Sequence, residues 1–326
     1  METPCVRVSR AAGEETRRRL AAADLVDRGL DITASDGNLY IPITDADAAP
    51  ADLTVVTHDV PERETQTMPA DILGFDPTYE RLGDVVIIDE DDADRATQIA
   101  EAIMASALPS KTVVNRASKV KGETRIRDWD VLAGDGTEAV HREYGHEFAL
   151  DLATVYFSPR LATERHRVVE QISAGEHVFD MFAGVGPFVV PAAARGAAVV
   201  GVDVNPDAVG YMRENAERNG VADRVTAIEG DVREVAPEYT DWADRVVMNL
   251  PHSADDFLDT AVSLAGDDCT LHYYDIQHED DPYGPGEAAI RDAAEPEYEV
   301  EIETRHTVRS YAPHELNVCL DARLRR

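Results

Sequence analysis

The segment from Val178 to Phe188, VFDMFAGVGPF, runs from an apolar stretch directly into a turn with two glycines. Gly184 and Gly186 allow the backbone to come close to a ligand, and the N-terminus of a following helix presents free N–H groups. A dinucleotide-binding fingerprint requires a third glycine at position 189, where this chain has valine. Asp180, just before the turn, instead suits a ligand that carries an amino group and no diphosphate. The segment therefore predicts a cofactor-binding loop of that kind.

Polar residues also follow the next three predicted strands. Asp203 lies 19 residues after Gly184, and a carboxylate there can accept hydrogen bonds from both hydroxyls of a ribose. Asp231 and the backbone N–H of Val232 can bind the amino group and a ring nitrogen of adenine, and Asn249 ends the fourth strand. Each acid taken alone is more often a cap or turn residue. In this order, one after each strand, the polar residues predict a nucleoside-containing cofactor.

The chain as a whole is strongly acidic. Its 326 residues include 64 acidic and 31 basic side chains, which gives a formal net charge of −33, and only three of the basic residues are lysines. A functional acidic patch for cations or basic partners is one interpretation of this excess. The acids occur throughout the chain, however, and this favours a surface adapted to high salt. We therefore expect a halophilic source and draw no conclusion about partners from the total charge.

All three lysines fall in one short segment of this acidic chain. Between Ser110 and Arg127 there are six basic residues and one acid, Glu123, which gives a local charge of +5. Most short basic clusters are ordinary solvated surface, but this one is retained in a chain that otherwise lacks lysine. Because phosphate neutralisation supplies most of the affinity for nucleic acids, the segment predicts a nucleic-acid-binding surface. Its predicted RNA-binding residues are Lys111, Arg116, Lys119, Lys121 and Arg127.

Several function classes are excluded by composition. The three cysteines, Cys5, Cys269 and Cys319, lie far apart in the sequence, so we expect neither a disulfide framework nor a CxxC metal site. No apolar run approaches the ~18–20 residues that a membrane helix requires. The N-terminal residues lack the apolar core of a signal peptide. We expect a cytoplasmic protein without a bound metal.

The pattern of apolar residues divides the chain into three domains and a linker. The N-terminal part contains strands around an amphipathic helix at Glu14–Asp27, and the middle part is a mixed α+β region with a strand expected at Thr124–Leu132. From residue 156 onward strands alternate with helices, and Ser158 and Asn205 are expected N-caps. The predicted bounds are 1–60 for an N-terminal α/β domain, 61–69 for a polar linker, 70–155 for the α+β domain and 156–326 for the alternating domain.

This alternation predicts the fold class. Strands that alternate with helices form a parallel sheet with helices on both faces, and its ligands bind at the carboxyl ends of the strands. We therefore predict an α/β protein with a C-terminal Rossmann-like sheet preceded by small α+β domains that bind RNA. The helix that begins at Ser158 is expected to extend to Ile172.

The motifs between Val178 and His252 resemble those of class I S-adenosylmethionine-dependent methyltransferases. The segment YFSPRLATER, at residues 156–165, and the tripeptide NLP, at residues 249–251, make the resemblance closer. Together with VNR at residues 114–116 and HREYG at 141–145, they are similar to the archaeal and eukaryotic tRNA (guanine-37-N1)-methyltransferase family. The likeness spans essentially the whole chain. It implies S-adenosylmethionine as cofactor and tRNA as partner, with the N-terminal domain holding the tRNA body and the other two enclosing the anticodon loop.

The resemblance also implies roles for individual residues. Glu164 matches the general base that removes the N1 proton of guanine, and Arg125, or else Arg127, matches an arginine that stabilises charge on the base. Judged from the residues alone, Glu164 is better explained as a helix carboxylate paired with Arg167 three positions on, and it is the resemblance that favours catalysis. Tyr156 and Asn249 match residues that hold the target base, and Arg160 joins the RNA-binding set. The predicted cofactor-binding residues are Arg165, Asp180, Phe182, Gly184, Gly186, Asp203, Asp231, Val232 and Asn249.

The chemistry is consistent with these roles. Guanine N1 is a poor nucleophile until its proton leaves, so a carboxylate must accept the proton and a cation near O6 must stabilise the resulting charge. The sulfonium of the cofactor already makes the methyl group electrophilic, so the reaction requires no metal. We interpret His252, beside the NLP turn, as a wall residue, and Trp129 and Trp242 as packing residues. We expect a monomer that does not bind membranes.

Three alternatives remain open at this point. A related enzyme transfers the aminocarboxypropyl group of the same cofactor to a tricyclic, wyosine-type base at the same tRNA position, and it typically has Gly-Asn where this chain has Arg160-Leu161. A small-molecule methyltransferase leaves the basic segment and about 150 N-terminal residues unexplained. A non-catalytic RNA-binding protein with a degenerate cofactor fold has no need for Asp203, Asp231 and Asn249.

Overall fold

The computed structural model describes residues 2–63, 66–119, 121–122 and 124–326. The chain divides into two compact units, Met1–Thr67 and Met68–Arg326. Two residues of the predicted linker, Glu64 and Thr65, lie outside the described residues, and so does Glu123, the acid of the basic segment. Among the described helices, none is both long enough and apolar enough to cross a membrane.

The first unit is a four-stranded antiparallel sheet with one helix. Its strands are β1 (Glu2–Ser9), β2 (Thr33–Ser35), β3 (Asn38–Pro42) and β4 (Thr54–Asp59), in the order β2-β3-β1-β4, and α1 is Gly13–Ala22. Val6, Leu20 and Ile41 form its apolar core. The predicted helix continued to Asp27, but it ends at Ala22 because Asp24 adopts a left-handed conformation (φ +55°) and returns the chain to the core.

The second unit begins with a small mixed sheet and a hairpin. Its sheet order is β5-β6-β7-β8, in which β6 and β7 are parallel, and β9 and β10 form a separate antiparallel pair. The bounds are α2 Pro69–Leu73, β5 Glu80–Leu82, β6 Val85–Ile88, α3 Ala93–Ala105, β7 Thr112–Arg116, β8 Trp129–Ala133, β9 Glu138–Glu143 and β10 His146–Asp151. The strand expected at Thr124–Leu132 begins only at Trp129, because Arg125 has a positive φ of 55° and lies in a turn.

A seven-stranded sheet forms the rest of the second unit. Its order is β13-β12-β11-β14-β15-β17-β16, and its first five strands are mutually parallel. The bounds are α4 Ala162–Val169, β11 His177–Asp180, α5 Val189–Ala194, β12 Ala198–Asp203, α6 Pro206–Arg218, β13 Val225–Glu229, α7 Val232–Val235, β14 Ala243–Met248, α8 Leu258–Leu264, β15 Ala265–His278, α9 Gly284–Ala294, β16 Glu299–Ala312 and β17 Glu315–Arg325. The strand order reverses beside β11, which is where such sheets bind ligands.

The sheet departs from the predicted parallel arrangement at one edge. β17 pairs antiparallel with both β15 and β16. Only Pro313 and His314 separate β16 from β17, and so short a connection can join only antiparallel strands. The apolar residues of the sheet pack on both faces, as predicted, in two large clusters of buried side chains.

The two predicted N-caps have different outcomes. The side chain of Asn205 accepts a hydrogen bond from the N–H of Asp207 (3.0 Å), which confirms the cap of α6. The cap at Ser158 is wrong, because its side chain makes no capping bond. The carbonyl of Ser158 instead accepts from Nη2 of Arg165 (3.1 Å), and the helix starts with a 3-10 turn at Pro159–Leu161. α4 ends at Val169 and does not reach Ile172.

Candidate active site

A cavity of about 740 Å³ lies at the carboxyl ends of β11, β12, β13 and β14, and we call it the strand-end cavity. Its volume falls within the ~300–1,000 Å³ typical of small-molecule sites. It collects most of the predicted cofactor-binding residues and several of the predicted catalytic ones. The predicted residues that line it are Arg125, Tyr156, Arg165, Phe182, Gly184, Asp203, Asp231, Val232 and Asn249.

Asp203 ties the glycine turn to the end of β12. Its Oδ2 accepts a hydrogen bond from the N–H of Gly184 (2.7 Å), and its Oδ1 accepts one from the N–H of Asn205 (2.9 Å). Burial raises the pKa of Asp203, and these two backbone bonds oppose that increase. Gly184 itself has a φ of +54°, a conformation that glycine adopts at little cost. The carboxylate therefore shapes the turn as well as lining the cavity.

Gly186 is placed differently from the prediction, since it is not among the residues that line the strand-end cavity. Its φ is +87°, and a Cβ added there would lie 3.1 Å from Cγ of Met212 on α6. The residue is thus a packing position that lets α6 approach the turn.

Asp180 also lies behind the cavity wall and does not line it. It is 1% exposed, and its Oδ1 accepts a hydrogen bond from the N–H of Phe182 at 3.2 Å. Among the described residues, its Oδ2 has no hydrogen-bond partner. Burial raises the pKa of Asp180 to about 7, and the neighbouring Asp203 adds to the increase. The structure thus supports a role for Asp180 in the turn, and its predicted contact with a ligand stays a prediction.

Arg165 connects the cavity to the β9–β10 hairpin. Its Nε and Nη2 donate to the two carboxylate oxygens of Glu143 on β9, at 2.7 and 2.5 Å, and both side chains are buried. Burial favours the neutral form of Glu143, but Arg165 and His141 outweigh it and hold the pKa of Glu143 below its usual value. The guanidinium is therefore fixed by the hairpin while it lines the strand-end cavity.

Asp231 and His252 line the strand-end cavity from the ends of β13 and β14. Asp231 caps α7 by accepting from the N–H of Arg233 (2.9 Å), and its ion pair with the Arg233 side chain lowers its pKa. His252, which we interpreted as a wall residue, places Nε2 3.0 Å from the hydroxyl of Tyr311. Burial and the nearby Arg125 lower the pKa of His252, which favours the neutral imidazole.

Glu164, the predicted general base, lines neither of the two cavities described in this section. It is 4% exposed and accepts hydrogen bonds from Nε and Nη2 of Arg167 (both 2.8 Å) and from the hydroxyl of Tyr274 (2.8 Å). Nε2 of His306, on β16, lies 3.2 Å from its Oε2. The pairing with Arg167 is thus present, and a catalytic role for Glu164 stays a prediction.

A buried polar network continues from Arg167 into the sheet. Nη1 of Arg167 donates to Asp321 (2.6 Å), and Asp321 also lies 2.6 Å from Nδ1 of His272. Potential metal ligands of His272, Cys319 and Asp321 lie within 4.8 Å of one another. However, Arg245 and Arg167 already contact the two outer members, so this cluster is satisfied by hydrogen bonds and ion pairs. Although burial opposes it, the bonds from His272 and Arg167 hold the pKa of Asp321 far below its usual value.

A second cavity, of about 250 Å³, adjoins the first, and we call it the arginine cavity. Its walls come from the β5–β8 sheet, the 155–160 segment and β16. Arg125, Tyr156, Phe157 and Ser158 line both cavities. The charged residues that line the arginine cavity are Glu80, Asp89, Arg116, Arg125, Arg127, Arg160 and Arg309.

The predicted RNA-binding residues separate into two groups. Arg116, Arg127 and Arg160 line the arginine cavity, whereas the three lysines line neither cavity. Arg116 is ion-paired with Glu80 (2.5 Å) and Asp89 (2.8 Å), and Lys121 is ion-paired with Asp128. The local charge of the basic segment is therefore partly neutralised by neighbours that the linear count left out.

Arg309 is the main residue that the sequence analysis missed. It lies on β16, more than 50 residues beyond the last motif, and no spacing or neighbour in the sequence marks it. Only the antiparallel edge of the sheet brings it to the arginine cavity.

Three family models match the chain. The TRM5/TYW2 methyltransferase domain matches residues 139–302, the tRNA methyltransferase 5 N-terminal domain matches residues 5–51, and the TYW2 N-terminal domain matches residues 61–137. The first of these contains most of the residues that line the strand-end cavity.

Individual proteins match over most or nearly all of the chain. The chain is 38% identical to the tRNA (guanine(37)-N(1))-methyltransferase Trm5b of Pyrococcus abyssi, over 99% of both chains. It is 32% identical to a tRNA(Phe) (4-demethylwyosine(37)-C(7)) aminocarboxypropyltransferase of Pyrococcus horikoshii, over 83% of this chain and 95% of that one.

Solved structures agree with these matches. The crystal structure of Trm5b from Pyrococcus abyssi aligns with a TM-score of 0.74 at 37% identity, over 99% of this chain and 100% of that one. A complex of aTrm5 with tRNALeu aligns with a TM-score of 0.76 at 30% identity, over 98% and 99% of the two chains. These similarities extend well beyond the cofactor motifs, and the chain belongs to the TRM5/TYW2 methyltransferase family.

Proposed function

We propose that this protein transfers the methyl group of S-adenosylmethionine to N1 of guanine 37 in tRNA. The observation that carries the proposal is the 38% identity, over 99% of both chains, to a tRNA (guanine(37)-N(1))-methyltransferase. The two adjoining cavities support it, because one suits a nucleoside cofactor and the other suits a polyanion.

The residues of the strand-end cavity fit this cofactor. The Asp203 carboxylate suits the ribose hydroxyls, Asp231 and Val232 suit the adenine, and the glycine turn leaves room for the amino-acid part. Among the described residues, Oδ2 of Asp180, just behind the turn, has no hydrogen-bond partner, and the carboxylate in its ionised form favours an ammonium group. When bound, S-adenosylmethionine supplies an electrophilic methyl group on its sulfonium.

The target base would enter beside Tyr156 and Asn249. Arg125 lines both cavities and lies over the ring of Tyr156, 5.3 Å from its centroid, so it can approach the O6 side of a guanine placed there. The family resemblance assigns removal of the N1 proton to Glu164. That residue immediately precedes Arg165 on α4, and Arg167 and Tyr274 hold its carboxylate in place.

The setting of the enzyme is part of the proposal. The acidic composition supports a halophilic, cytoplasmic enzyme that acts as a monomer on the anticodon region of tRNA. We expect the fold to loosen in dilute buffer, because self-repulsion among its acidic groups is then unscreened.

The first experiment is methyl transfer in molar KCl. The protein is incubated with methyl-labelled S-adenosylmethionine and unmodified tRNA transcripts that carry G37 or A37, and the digested nucleosides are identified by mass. Formation of 1-methylguanosine with the G37 transcript alone supports the reaction, the base and the position. Label on both transcripts would still indicate an RNA methyltransferase but would contradict guanine 37 as its target.

The aminocarboxypropyl transferase is the second candidate, because residues 61–137 match the TYW2 N-terminal domain. It predicts no methyl transfer to G37. Instead, a tRNA that carries the tricyclic precursor would gain the mass of an aminocarboxypropyl group. The same assay with that substrate therefore decides between the two.

A further inference from the structure

The arginine cavity has an excess of positive charge in a chain of net charge −33. Five arginines and two carboxylates line it, which leaves a local formal charge of +3. The net charge of the protein repels a phosphate at long range, so any attraction for RNA must come from contacts at close range. A small cavity that concentrates arginines is suited to supply it.

The two carboxylates form ion pairs with two of the arginines. Glu80 pairs with both Arg116 and Arg160, and Asp89 pairs with Arg116. Among the described residues, the remaining three arginines have no ion-pair partner. Each lies over an aromatic ring instead: Arg125 over Tyr156, Arg127 over Trp129 and Arg309 over Tyr311. The excess charge therefore resides on these three guanidinium groups.

This arrangement is unfavourable without an anion. Nε of Arg309 is buried and, within the described part of the chain, has no hydrogen-bond partner, and the same holds for Nε of Arg116. Burial and repulsion from Arg116 lower the pKa of Arg127, which shows that its charge is destabilised. Buried N–H donors and crowded guanidinium groups are both satisfied by the oxygens of a phosphate, which arginine binds with two parallel hydrogen bonds.

We propose that the arginine cavity binds one backbone phosphate of the RNA next to the target nucleotide, with Arg309 as a phosphate ligand. This inference rests on the proposed function and adds to it. The two cavities share Arg125 and Tyr156, so a phosphate in one lies close to a base presented to the other. The volume of about 250 Å³ is below that of sites that enclose whole small molecules and suits a phosphodiester with part of its sugar.

The test uses full-length tRNA, assembled by ligation, with a single neutral methylphosphonate linkage on one side of G37 or the other. Dissociation constants and kcat/KM are measured in molar KCl for the wild type and Arg309→Gln. We expect neutralisation of one of these linkages to weaken wild-type binding by roughly tenfold, as for the loss of a hydrogen bond to a charged group. We expect Arg309→Gln to bind natural tRNA roughly tenfold more weakly than the wild type. In this variant the same neutral linkage should weaken binding by less than about a further threefold, because the arginine that contacts that phosphate has been removed.

The matched control is Arg224→Gln. Arg224 is an exposed arginine of the second unit that lines neither cavity, and its nearest carboxylate oxygen is 4.0 Å away, on Asp223. This variant should keep the full penalty of the neutral linkage. If Arg309→Gln fails to bind S-adenosylmethionine, and so is misfolded, the same cycle is run with Arg127→Gln, which changes another arginine of this cavity that has no ion-pair partner among the described residues.

Four results would overturn the inference. The first is a penalty of every neutral linkage that is as large in Arg309→Gln as in the wild type, and the second is that no linkage next to G37 is sensitive. The third is a change in Arg309→Gln in the discrimination between guanine and inosine at position 37, which would make the cavity a base site. The fourth is competition of inorganic phosphate with tRNA without any linkage effect, which would assign the cavity to free anions. Because binding is measured without turnover, a wild type that binds these RNAs but does not methylate G37 contradicts only the proposed function.

Discussion

The strand-end cavity and the arginine cavity adjoin each other, yet they are assembled in opposite ways. Apart from Arg165, the predicted cofactor-binding residues that line the first come from the ends of four successive parallel strands, in chain order, within about 70 residues. The second takes its charged residues from β5, β7, a turn, the 155–160 segment and β16, which span more than 220 residues of sequence. The comparison teaches that the polar residues of one cavity can lie close together in sequence while the charges of an adjoining cavity are brought together entirely by tertiary packing.

The two cavities also differ in their unpaired charges. Behind the wall of the strand-end cavity lies a buried carboxylate, Asp180, with one oxygen that lacks a partner among the described residues. In the described part of the arginine cavity, the buried atoms that lack a hydrogen-bond partner are the guanidinium Nε atoms of Arg116 and Arg309. One side thus favours a cationic group and the other an anionic group, and we expect the two binding functions to be separable by substitution.

The largest expected effect comes from a residue that lies in neither cavity. Glu164→Gln should lower kcat by roughly 10²–10⁴-fold, the contribution of a general base, because an amide cannot accept the N1 proton. The dissociation constants for S-adenosylmethionine and tRNA should both stay within about twofold, since neither cavity wall is changed. Single-turnover methyl transfer and equilibrium binding measure the two quantities.

A matched control for this prediction is Glu170→Gln, which changes an exposed glutamate just beyond the same helix. It should leave kcat unchanged. A Glu164→Gln variant with normal kcat and weakened binding would contradict the catalytic role and leave Glu164 as a structural ion-pair residue.

Asp180→Asn tests the buried carboxylate behind the strand-end cavity through the pH dependence of stability. Burial raises the folded-state pKa of Asp180 from 3.8 to about 7. At pH values between these two, the folded state therefore keeps a proton that the unfolded state has lost. The wild type is therefore destabilised as the pH rises through this window, whereas the asparagine variant is not. We therefore compare the free energy of unfolding of Asp180→Asn with that of the wild type. Between pH 4 and a pH above 7, we expect the value for the variant to rise relative to the wild type by up to about 4 kcal/mol.

The measurement is denaturant unfolding of both proteins at constant high salt across that pH range. The groups that the two proteins share cancel in the difference. A difference that stays constant with pH would show that Asp180 is ionised throughout and that a cation or solvent satisfies it. Asp321 has the opposite sign: its pKa is lowered, so its contribution to stability is lost as the pH falls.

Asp203→Ala should affect the strand-end cavity alone. It removes the acceptor for two backbone N–H groups, those of Gly184 and Asn205, together with the predicted ribose contact. We expect binding of S-adenosylmethionine to weaken by roughly 100-fold, or about 3 kcal/mol, while tRNA affinity changes by less than about twofold. Isothermal titration with each ligand measures this, and Asp207→Ala, on the first turn of α6, is the control. An equal loss of tRNA affinity would show that the two cavities are coupled.

The smallest effect is expected for Arg127→Gln, which tests the arginine cavity. It removes one cation from the arginine cavity, so tRNA should bind roughly tenfold more weakly and the slope of log K against log salt should fall by about 1. The affinity for S-adenosylmethionine should not change. Lys111→Gln is the informative comparison, because Lys111 belongs to the basic segment but lines neither cavity. An equal loss in Lys111→Gln would assign RNA affinity to the whole segment and not to the cavity.

Much of the fold was predictable because the signals are local. The cap at Asn205 was confirmed, since Asx capping depends on neighbouring residues. The errors have long-range causes. The side chain of Ser158 makes no capping bond, and its carbonyl accepts a hydrogen bond from Arg165, whose orientation is set by Glu143 on another element. The antiparallel β17 followed from a two-residue connection that the alternation pattern did not reveal.

The sequence by itself determined the family and the order of the polar residues at the ends of β11 to β14, because each of these residues follows directly on the strand that positions it. Only the tertiary structure decided which charges are free and which are paired. Glu80 neutralises Arg116 and Arg160 across 36 and 80 residues, and Arg167 meets Asp321 across 154. Charge pairing depends on distance and burial in space, and neither can be read from separation along the chain. For the same reason, Arg309 becomes part of a functional cavity only once β16 has joined the sheet.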